Sequence, residues 1–177
     1  AWFERYVADG TFSEQPSPEP ASARGDIVER SDAAHAFVAA LSARFSTTAG
    51  AALILDYGPA QSTEGETLQA IRDGAPADPL ADRGSADLTA HVDFASLGRT
   101  ARAHGAAVHG PVPQGIFLAR LGLFQRTDRL ARTQAPARAA ALAAAAQRLA
   151  EPASMGRLFK AMAICHPSLP TPPGFTE

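Results

Sequence analysis

Residues 51–58, AALILDYG, place five apolar residues in a row before an aspartate, a tyrosine and a glycine. The apolar run is too short for a typical helix and stops at turn-forming residues, which is typical of a strand covered on both faces of a sheet. Asp56 is then expected at the carboxyl end of this strand, where open α/β sheets bind their ligands. Asp-Tyr-Gly-Pro is also ordinary turn sequence, so the residues leave a turn and a ligand site open.

The segments around this strand predict a mixed α/β fold. Helical spacing of apolar residues follows Ser31–Asp32 and again follows Asp93, and either Ser31 or Asp32 can cap the first helix. Residues 106–108 are predicted as a further strand, and an alanine-rich helix is predicted over 135–150. Residues 158–165 fit either a final strand or a helix that continues from Met155-Gly156, and the strand is preferred. This succession is typical of a mostly parallel sheet flanked by helices. The apolar positions expected to face the core from the first helix are Ala34, Phe37, Val38, Leu41 and Phe45.

The amino-terminal part of the chain predicts a hairpin followed by a loop. Residues 2–12, WFERYVADGTF, alternate apolar and polar side chains around Asp9-Gly10, as two short strands joined by a tight turn do. Residues 13–25 hold three prolines among serine and glutamate, which predicts a flexible Pro/Ser-rich loop. The length of 177 residues predicts one globular unit with a real core.

Composition narrows the classes of partner and compartment. A formal charge of -2 gives no general attraction to nucleic acid or to an anionic membrane, so neither partner is predicted. No apolar run reaches the length of a membrane span, and the start of the chain lacks an export signal. Cys165 is the only cysteine and cannot form an internal disulfide, which suits a bacterial cytoplasm or a mitochondrial matrix. The composition leaves open whether the protein forms a homo-oligomer.

The loop between residues 57 and 93 is rich in carboxylates. Clustered acids can bind a cationic substrate or act as a general base, although charged loops are often simply solvated. Thr67 and Gln69 alternate with apolar residues, so a short half-buried strand would point both side chains the same way. Gln69 then bonds either a ligand or the next loop. The acids of this loop are Glu64, Glu66, Asp73, Asp78, Asp82 and Asp87.

The end of the loop, DLTAHVD at residues 87–93, holds several helix-cap candidates and one titratable ring. Capping is the expected role of Thr89 and Asp93, while an exposed helix start also offers donors to an anion. His91 could take a proton near neutral pH or serve a structural role. The histidines and Cys165 show no metal-ligand spacing, and the chain has neither a Gly-x-Ser-x-Gly elbow nor a Gly-x-Gly-x-x-Gly turn.

Six blocks of sequence together carry a resemblance that none of them carries alone. They are LILDYG, GETLQA, DPLAD, ADLTAHVDF, HGPVPQGIFLARLG and MGRLFKAMAICHPSLP. In this order they resemble the MidA-like family of class I S-adenosylmethionine-dependent methyltransferases, whose members include a mitochondrial protein-arginine methyltransferase linked to complex I assembly. The resemblance implies a Rossmann-like methyltransferase sheet, with residues 53–56 as its fifth strand, 106–108 as its sixth and 158–165 as its final antiparallel strand.

The resemblance also implies that residues 1–177 are the carboxyl-terminal part of one methyltransferase domain. The family's glycine-rich cofactor loop precedes the part that corresponds to Trp2, so S-adenosyl-L-methionine is expected to be bound mainly by residues upstream of this chain. The expected substrate is a protein side chain, arginine by resemblance, with a respiratory-complex subunit as one candidate. A non-catalytic assembly module on the same fold is the alternative. The expected catalytic residues are Asp56, Asp78, Asp87 and Asp93, and the expected substrate-binding residues are Tyr57, Thr67, Gln69 and His91.

Overall fold

The computed structural model describes residues 3–17, 27–81 and 84–176. These residues form two compact units: the small unit contains the described residues of 1–30 and 63–91, and the large unit those of 31–62 and 92–177. The expectation that the chain is part of one domain stays a prediction. Ala70 is the only hydrophobic residue of the small unit, as described, that is buried. The strands of residues 63–91 thus pair with one another and contribute almost nothing to a common core.

The hairpin of the small unit joins β1 (Phe3–Ala8) to an antiparallel β2 (Thr11–Pro16). The predicted turn at Asp9-Gly10 is confirmed, and both residues have positive φ, 52° and 76°, as such turns require. The predicted loop over 13–25 is wrong for its first four residues, which continue β2. A proline is tolerated at a strand end, so Pro16 can close the strand. Residues 18–26 of that predicted loop lie outside the described residues.

A second sheet of the small unit has the order β5-β4-β6, with β4 (Gln69–Arg72) in the centre between β5 (Ala75–Ala77) and β6 (Asp87–Thr89). The predicted strand is confirmed from Gln69 onwards, but Thr67 precedes it. The capping role expected of Thr89 is wrong, because Thr89 lies in β6 opposite Gln69. The β4–β5 hairpin turns at Asp73-Gly74, with φ of 52° and 76°, a signal that was present in the sequence.

The large unit holds a three-stranded sheet of order β3-β8-β7, formed by β3 (Ala51–Tyr57), β8 (Phe159–Cys165) and β7 (Ala107–Pro113). The central strand β8 is antiparallel to both neighbours, which confirms the final antiparallel strand. The expected mostly parallel pairing is wrong for the described strands: β3 and β7 run in the same direction, but β8 separates them. Their carboxyl ends consequently meet at one edge of the sheet, on either side of the start of β8.

One face of this sheet carries the core, against α1 (Asp32–Thr47) and α2 (Phe94–Ala103). Ser31, one of the two predicted candidates, caps α1, and Asp93 caps α2 as predicted. Phe37 and Val38 were both expected in the core, but Phe37 is 63% exposed while Val38 is buried. The buried residues of this core are Val38, Phe45, Phe94, Leu97, Ala101, Ala106, Met162 and Ile164.

The expectation that β3 is covered on both faces is wrong within the described chain. Ala52 and Ile54 pack against the core cluster, while Leu53 and Leu55 are 50% and 47% exposed. Side chains of a strand alternate between faces, so the uninterrupted apolar run serves the core with one face only.

The remaining helices of the large unit are α3 (Gln114–Arg120), α4 (Leu123–Ala131), α5 (Pro136–Ala150) and α6 (Met155–Leu158). The alanine-rich helix is confirmed as α5, with Pro136 in its first turn. Gly115 and Gly156 both lie against the end of α5, where a Cβ atom would overlap the carbonyl oxygen of Ala150. These two close approaches pack α3 and α6 onto α5 and so position the start of β8.

Candidate active site

The edge of the large-unit sheet where β3 and β7 end is the place where an open α/β sheet binds ligands. There Asp56 of β3 and Pro113 of β7 are the two strand partners of Lys160, the second residue of β8. The predicted position of Asp56 is therefore confirmed to within one residue, since β3 extends to Tyr57. This edge, residues 56–58 with Lys160, forms the candidate site in the large unit.

Lys160 is the main feature of this edge that the sequence reasoning missed. It is the only lysine of the chain and is 8% exposed. Its Nζ donates to the carbonyl oxygens of Gly58 at 2.9 Å, Leu158 at 3.1 Å and Arg157 at 2.6 Å, which uses all three ammonium hydrogens. Burial lowers the pKa of Lys160 from its ordinary value, and the nearby charge of Arg157 lowers it further. The available signal was a lone cation inside the apolar run FKAMAIC.

The turn after β3 is fixed by close backbone contacts. Tyr57 accepts a hydrogen bond at 3.0 Å from the N–H of Val92, and the N–H of Gly58 donates to Leu158 at 3.4 Å. Gly58 has φ of 154°, and a Cβ atom there would overlap the carbonyl oxygen of Val92. Glycine is therefore required at this turn, which joins the end of β3 to the segments that open α2 and β8.

Asp56 and Tyr57 are half-buried at this edge. Oδ1 of Asp56 accepts the N–H of Tyr57 at 2.8 Å, a local contact typical of a turn. The ring of Tyr57 lies against that of Phe159, with centroids 5.5 Å apart. Although Asp56 is the strand partner of Lys160, no ion pair joins their side chains among the described contacts. The second carboxylate oxygen of Asp56 thus has no partner within the described chain.

Asp93 acts as the N-cap of α2. Its Oδ1 accepts the N–H of Ser96 at 2.8 Å and the hydroxyl of Ser62 at 3.0 Å. The Ser62 hydroxyl oxygen in turn accepts from Nη2 of Arg99 at 3.3 Å. The capping expectation is confirmed, and the carboxylate is also linked through Ser62 to a cation on the same helix.

In the small unit, Thr67 is held between two other segments. Its backbone N–H donates to Oε1 of Glu29 at 2.8 Å, its hydroxyl donates to Oε2 of Glu29, and the hydroxyl oxygen accepts the N–H of His91 at 2.9 Å. The Thr67 side chain therefore orders this unit whatever else it contacts. Glu29 was not singled out in the sequence, because nothing local signals a partner 38 residues away.

The other three expected residues of the small unit are exposed. Asp78 accepts the N–H of Leu80 at 2.8 Å with Oδ1, which closes a local turn. Asp87 begins β6 and Gln69 begins β4, and neither side chain is buried. The expected site set thus divides between the units. Asp56, Tyr57 and Asp93 lie in the large unit, and Thr67, Gln69, Asp78, Asp87 and His91 lie in the small unit.

The described residues contain neither a glycine-rich cofactor turn nor a metal-binding cluster. The sequence holds no Gly-x-Gly-x-x-Gly turn, and among the described strand-to-helix connections none is rich in glycine. Within 3–17, 27–81 and 84–176, no group of three His, Cys, Asp or Glu residues is placed to hold a metal ion. Of the helices in these ranges, none has both the length and the hydropathy needed to cross a bilayer.

Two solved structures share this architecture over almost the whole chain. An uncharacterised protein from Burkholderia thailandensis superposes with a TM-score of 0.75 at 28% identity, over 99% of this chain and 50% of that chain. A related protein from the same organism, determined with S-adenosyl-homocysteine bound, gives 0.74 at 27% identity, over 99% of this chain and 48% of that chain. The fold is thus the α/β, Rossmann-like sheet of the class I methyltransferases.

The chain belongs to the family described as "Putative S-adenosyl-L-methionine-dependent methyltransferase", whose model matches residues 6–112. It is 37% identical over 129 residues to the mitochondrial protein arginine methyltransferase NDUFAF7 homolog of Drosophila melanogaster. The matched region covers 72% of this chain and 29% of that protein. It is 39% identical over 114 residues to the mitochondrial protein arginine methyltransferase NDUFAF7 of Homo sapiens, over 61% of this chain and 25% of that protein. The chain thus spans between a quarter and a third of the length of these relatives.

Proposed function

We propose that the protein containing this chain transfers a methyl group from S-adenosyl-L-methionine to arginine side chains of a protein substrate. Membership of the methyltransferase family supports the reaction class, and the names of the fruit-fly and human relatives support arginine as the acceptor. The observation that carries the proposal in this chain is the half-buried Asp56, with one carboxylate oxygen free, at the ligand edge of a methyltransferase sheet.

The contribution of this chain is positioning of the acceptor. A guanidinium is planar and always charged, and a carboxylate orients it through two parallel hydrogen bonds. Methyl transfer requires the attacking nitrogen to be aligned with the donor, so a fixed carboxylate contributes through orientation. Asp56 is held by the Tyr57 N–H on a turn that Lys160 ties down, and this fixed geometry suits that role.

The proposal assigns the methyl donor to segments outside this chain. S-adenosyl-homocysteine is bound by a structural relative of which this chain covers 48%. Since the chain itself has no glycine-rich turn, we assign none of its described residues to donor contact and place its side chains on the acceptor side.

The decisive experiment is a methylation assay on the protein containing this chain, with an arginine-bearing protein as acceptor and mass spectrometry as readout. Asp56→Asn is expected to lower kcat/KM by about 100-fold while S-adenosyl-L-methionine binding stays unchanged, because an asparagine amide carries no negative charge to pair with the guanidinium. Asp128→Asn, an exposed acid of α4 paired with Arg132, is the matched control and keeps full activity. Unchanged activity in Asp56→Asn would show that this carboxylate does not orient the acceptor.

The loop acids are tested separately in the same assay. Asp87→Ala and Asp93→Ala are both expected to slow arginine methylation without changing donor binding. Wild-type rates in both variants would remove the loop from the proposed site.

A non-catalytic assembly module is the competing function, and calorimetry with S-adenosyl-L-methionine separates the two. Saturable heat supports the enzyme, while its absence in the protein containing this chain supports the module.

We further propose that the protein substrate is a subunit of a respiratory complex, in the mitochondrial matrix of a eukaryote or the cytoplasm of a bacterium. Loss of the gene should then lower the amount of assembled complex I, measured on native gels.

A further inference from the structure

A groove of about 250 Å³ runs along α2 within the large unit. Its volume is below the roughly 300–1,000 Å³ of pockets for drug-sized ligands, so it suits a single side chain. Two guanidinium groups, those of Arg99 and Arg102, line it, and no carboxylate does so among the described residues. The other lining residues are Ala60, Gln61, Phe94, Ala95, Gly98, Val108, Gly110, Pro111 and Met162.

Arg99 is held in place by a chain of hydrogen bonds. Its Nη2 donates to Ser62 at 3.3 Å, and Ser62 donates to Asp93, which is itself fixed by the N–H of Ser96. Asp93 does not line the groove, but its charge offsets that of Arg99 through the shared serine. The guanidinium is therefore positioned beside the groove and partly neutralised.

Arg102 lies one helical turn further along the same face of α2, and no carboxylate among the described residues offsets its positive charge. Its side chain has no hydrogen bond or ion pair to any other residue of the described chain. Its Nη1 lies 3.4 Å from the position that a Cβ atom on Gly98 would take, so the guanidinium folds back over the backbone of a buried glycine that lines the groove. The side chain thus faces the groove with its donors unused.

The charge around the groove selects the ligand chemistry. Two cations, one of them offset by Asp93, leave about one uncompensated positive charge, and the first turn of α2 adds the positive end of the helix dipole. A carboxylate has one negative charge and two oxygens, so it matches the net positive charge beside the groove better than a doubly charged phosphate does. The fork of the guanidinium also favours bidentate pairing with a carboxylate.

We propose that Arg99 and Arg102 form a docking point for an aspartate or glutamate side chain of the protein substrate. The identification of the ligand as a protein rests on the proposed function, whereas the preference for a carboxylate rests on the groove alone. Substrates with an acidic residue near the methylated arginine are then bound more tightly than neutral ones. Arg102 supplies most of the selectivity, because its donors are otherwise unpaired.

The test compares two short blocked peptides, Gly-Gly-Glu-Gly-Gly and Gly-Gly-Gln-Gly-Gly, by ligand-observed NMR titration against the protein containing this chain. The glutamate peptide should bind about tenfold more tightly, as expected for hydrogen bonds to a charged group. Arg102→Gln should abolish the difference, and Arg99→Gln should reduce it. Arg126→Gln, an exposed arginine of α4 without a side-chain partner among the described residues, is the control and should retain it.

Equal binding of the two peptides, or a full preference in Arg102→Gln, would overturn the proposal. A second arm adds saturating S-adenosyl-homocysteine, which also carries a carboxylate. The glutamate peptide should bind unchanged; if it is displaced in the wild type, the groove holds the cofactor's carboxylate and the assignment to the substrate is wrong. Neither peptide contains arginine, so the binding test does not depend on methyl transfer. If the glutamate peptide is still preferred but the arginine-bearing protein is not methylated in the assay above, the proposed function is refuted and the docking point stands.

Discussion

The Nζ of Lys160 donates a hydrogen bond of 2.9 Å to the carbonyl oxygen of Gly58, a residue 102 positions earlier in the chain. The same ammonium group holds the carbonyl oxygens of Arg157 and Leu158 at the start of β8. One buried cation thus connects the turn that follows β3 to the strand that pairs with it. Asp56 lies two residues before Gly58 in β3, so the connection through Lys160 helps to fix its position.

Replacing Lys160 by methionine should destabilise the large unit. Methionine keeps most of the apolar length but leaves three carbonyl groups without their donor, so the free energy of unfolding should fall by about 2–4 kcal/mol. Urea unfolding followed by circular dichroism measures the loss. Arg126→Met, at an exposed position, should change the free energy by less than about 0.5 kcal/mol. Equal effects of the two substitutions would mean that the ammonium contributes no net stability.

The pH dependence of stability should report the same lysine. Burial lowers the pKa of Lys160 in the folded state, so the unfolded chain binds the proton more tightly between that lowered pKa and the ordinary lysine value. The contribution of this group to the free energy of unfolding should therefore rise with pH across this window, up to about pH 10.4, and fall away as the pH drops through the lowered pKa. Urea titrations should therefore show the free energy of unfolding rising more steeply with pH in the wild type than in Lys160→Met over this range. The same pH dependence in both proteins would contradict the prediction.

The turn at Gly58 should not accept a side chain. Gly58→Ala would place a Cβ atom against the carbonyl oxygen of Val92, in addition to the strain of a positive φ. The expected loss in free energy of unfolding is about 3 kcal/mol or more, as for other substitutions that force backbone apart. Gly122→Ala is the control, since its φ of 84° carries the strain but only Gln125 lies near the added atom, at 3.7 Å. It should cost about 1 kcal/mol.

Substitutions at Asp93 can separate its capping role from a chemical one. Asp93→Ala removes the acceptor for Ser96 and should cost about 1 kcal/mol of stability, while Asp93→Asn keeps an acceptor at the cap and should cost much less. If the negative charge is also needed for arginine binding, Asp93→Asn should retain thermal stability and lose methylation activity. Loss of both together would indicate that the asparagine fails as a cap.

Cys165 should react only when the large unit opens. Its side chain is fully buried in β8, and burial raises the pKa of the thiol, so little thiolate is present in the folded chain. Alkylation by iodoacetamide, followed by mass spectrometry, should be slow in buffer and should accelerate across the urea transition that circular dichroism reports. Rapid labelling without denaturant would place the thiol at the surface.

The elements that local sequence defines were predicted well. Residue type and the apolar spacing that follows predicted Asp93 as a cap and narrowed the other cap to Ser31 or Asp32, and the alanine content predicted the long helix close to its observed bounds. The hairpin at Asp9-Gly10 was found from its turn residues, but the equivalent Asp73-Gly74 turn was overlooked because the strand that follows it, β5, has only three residues.

What the sequence could not supply depends on contacts between distant segments. The carbonyl partners of Lys160 come from the turn after β3 and from the start of β8, and Glu29 reaches Thr67 across 38 residues. Helical spacing predicted both Phe37 and Val38 on the core side of α1, but the packing against α2 and β8 buries only Val38 of the two. The division into two units depends on how little apolar surface residues 63–91 bury, which spacing alone does not reveal.

The exposed leucines of β3 have a practical consequence for handling the chain in solution. In the described large-unit sheet, β3 is an edge strand, so half of its backbone donors and acceptors face away from β8 beside Leu53 and Leu55. An apolar edge of this kind templates pairing with strands from other molecules, which leads to aggregation. Residues 1–177 prepared alone should thus aggregate through this strand, whereas in a longer protein any further strand that pairs with β3 would cover the edge. Light scattering should show that Leu53→Lys suppresses the aggregation of residues 1–177.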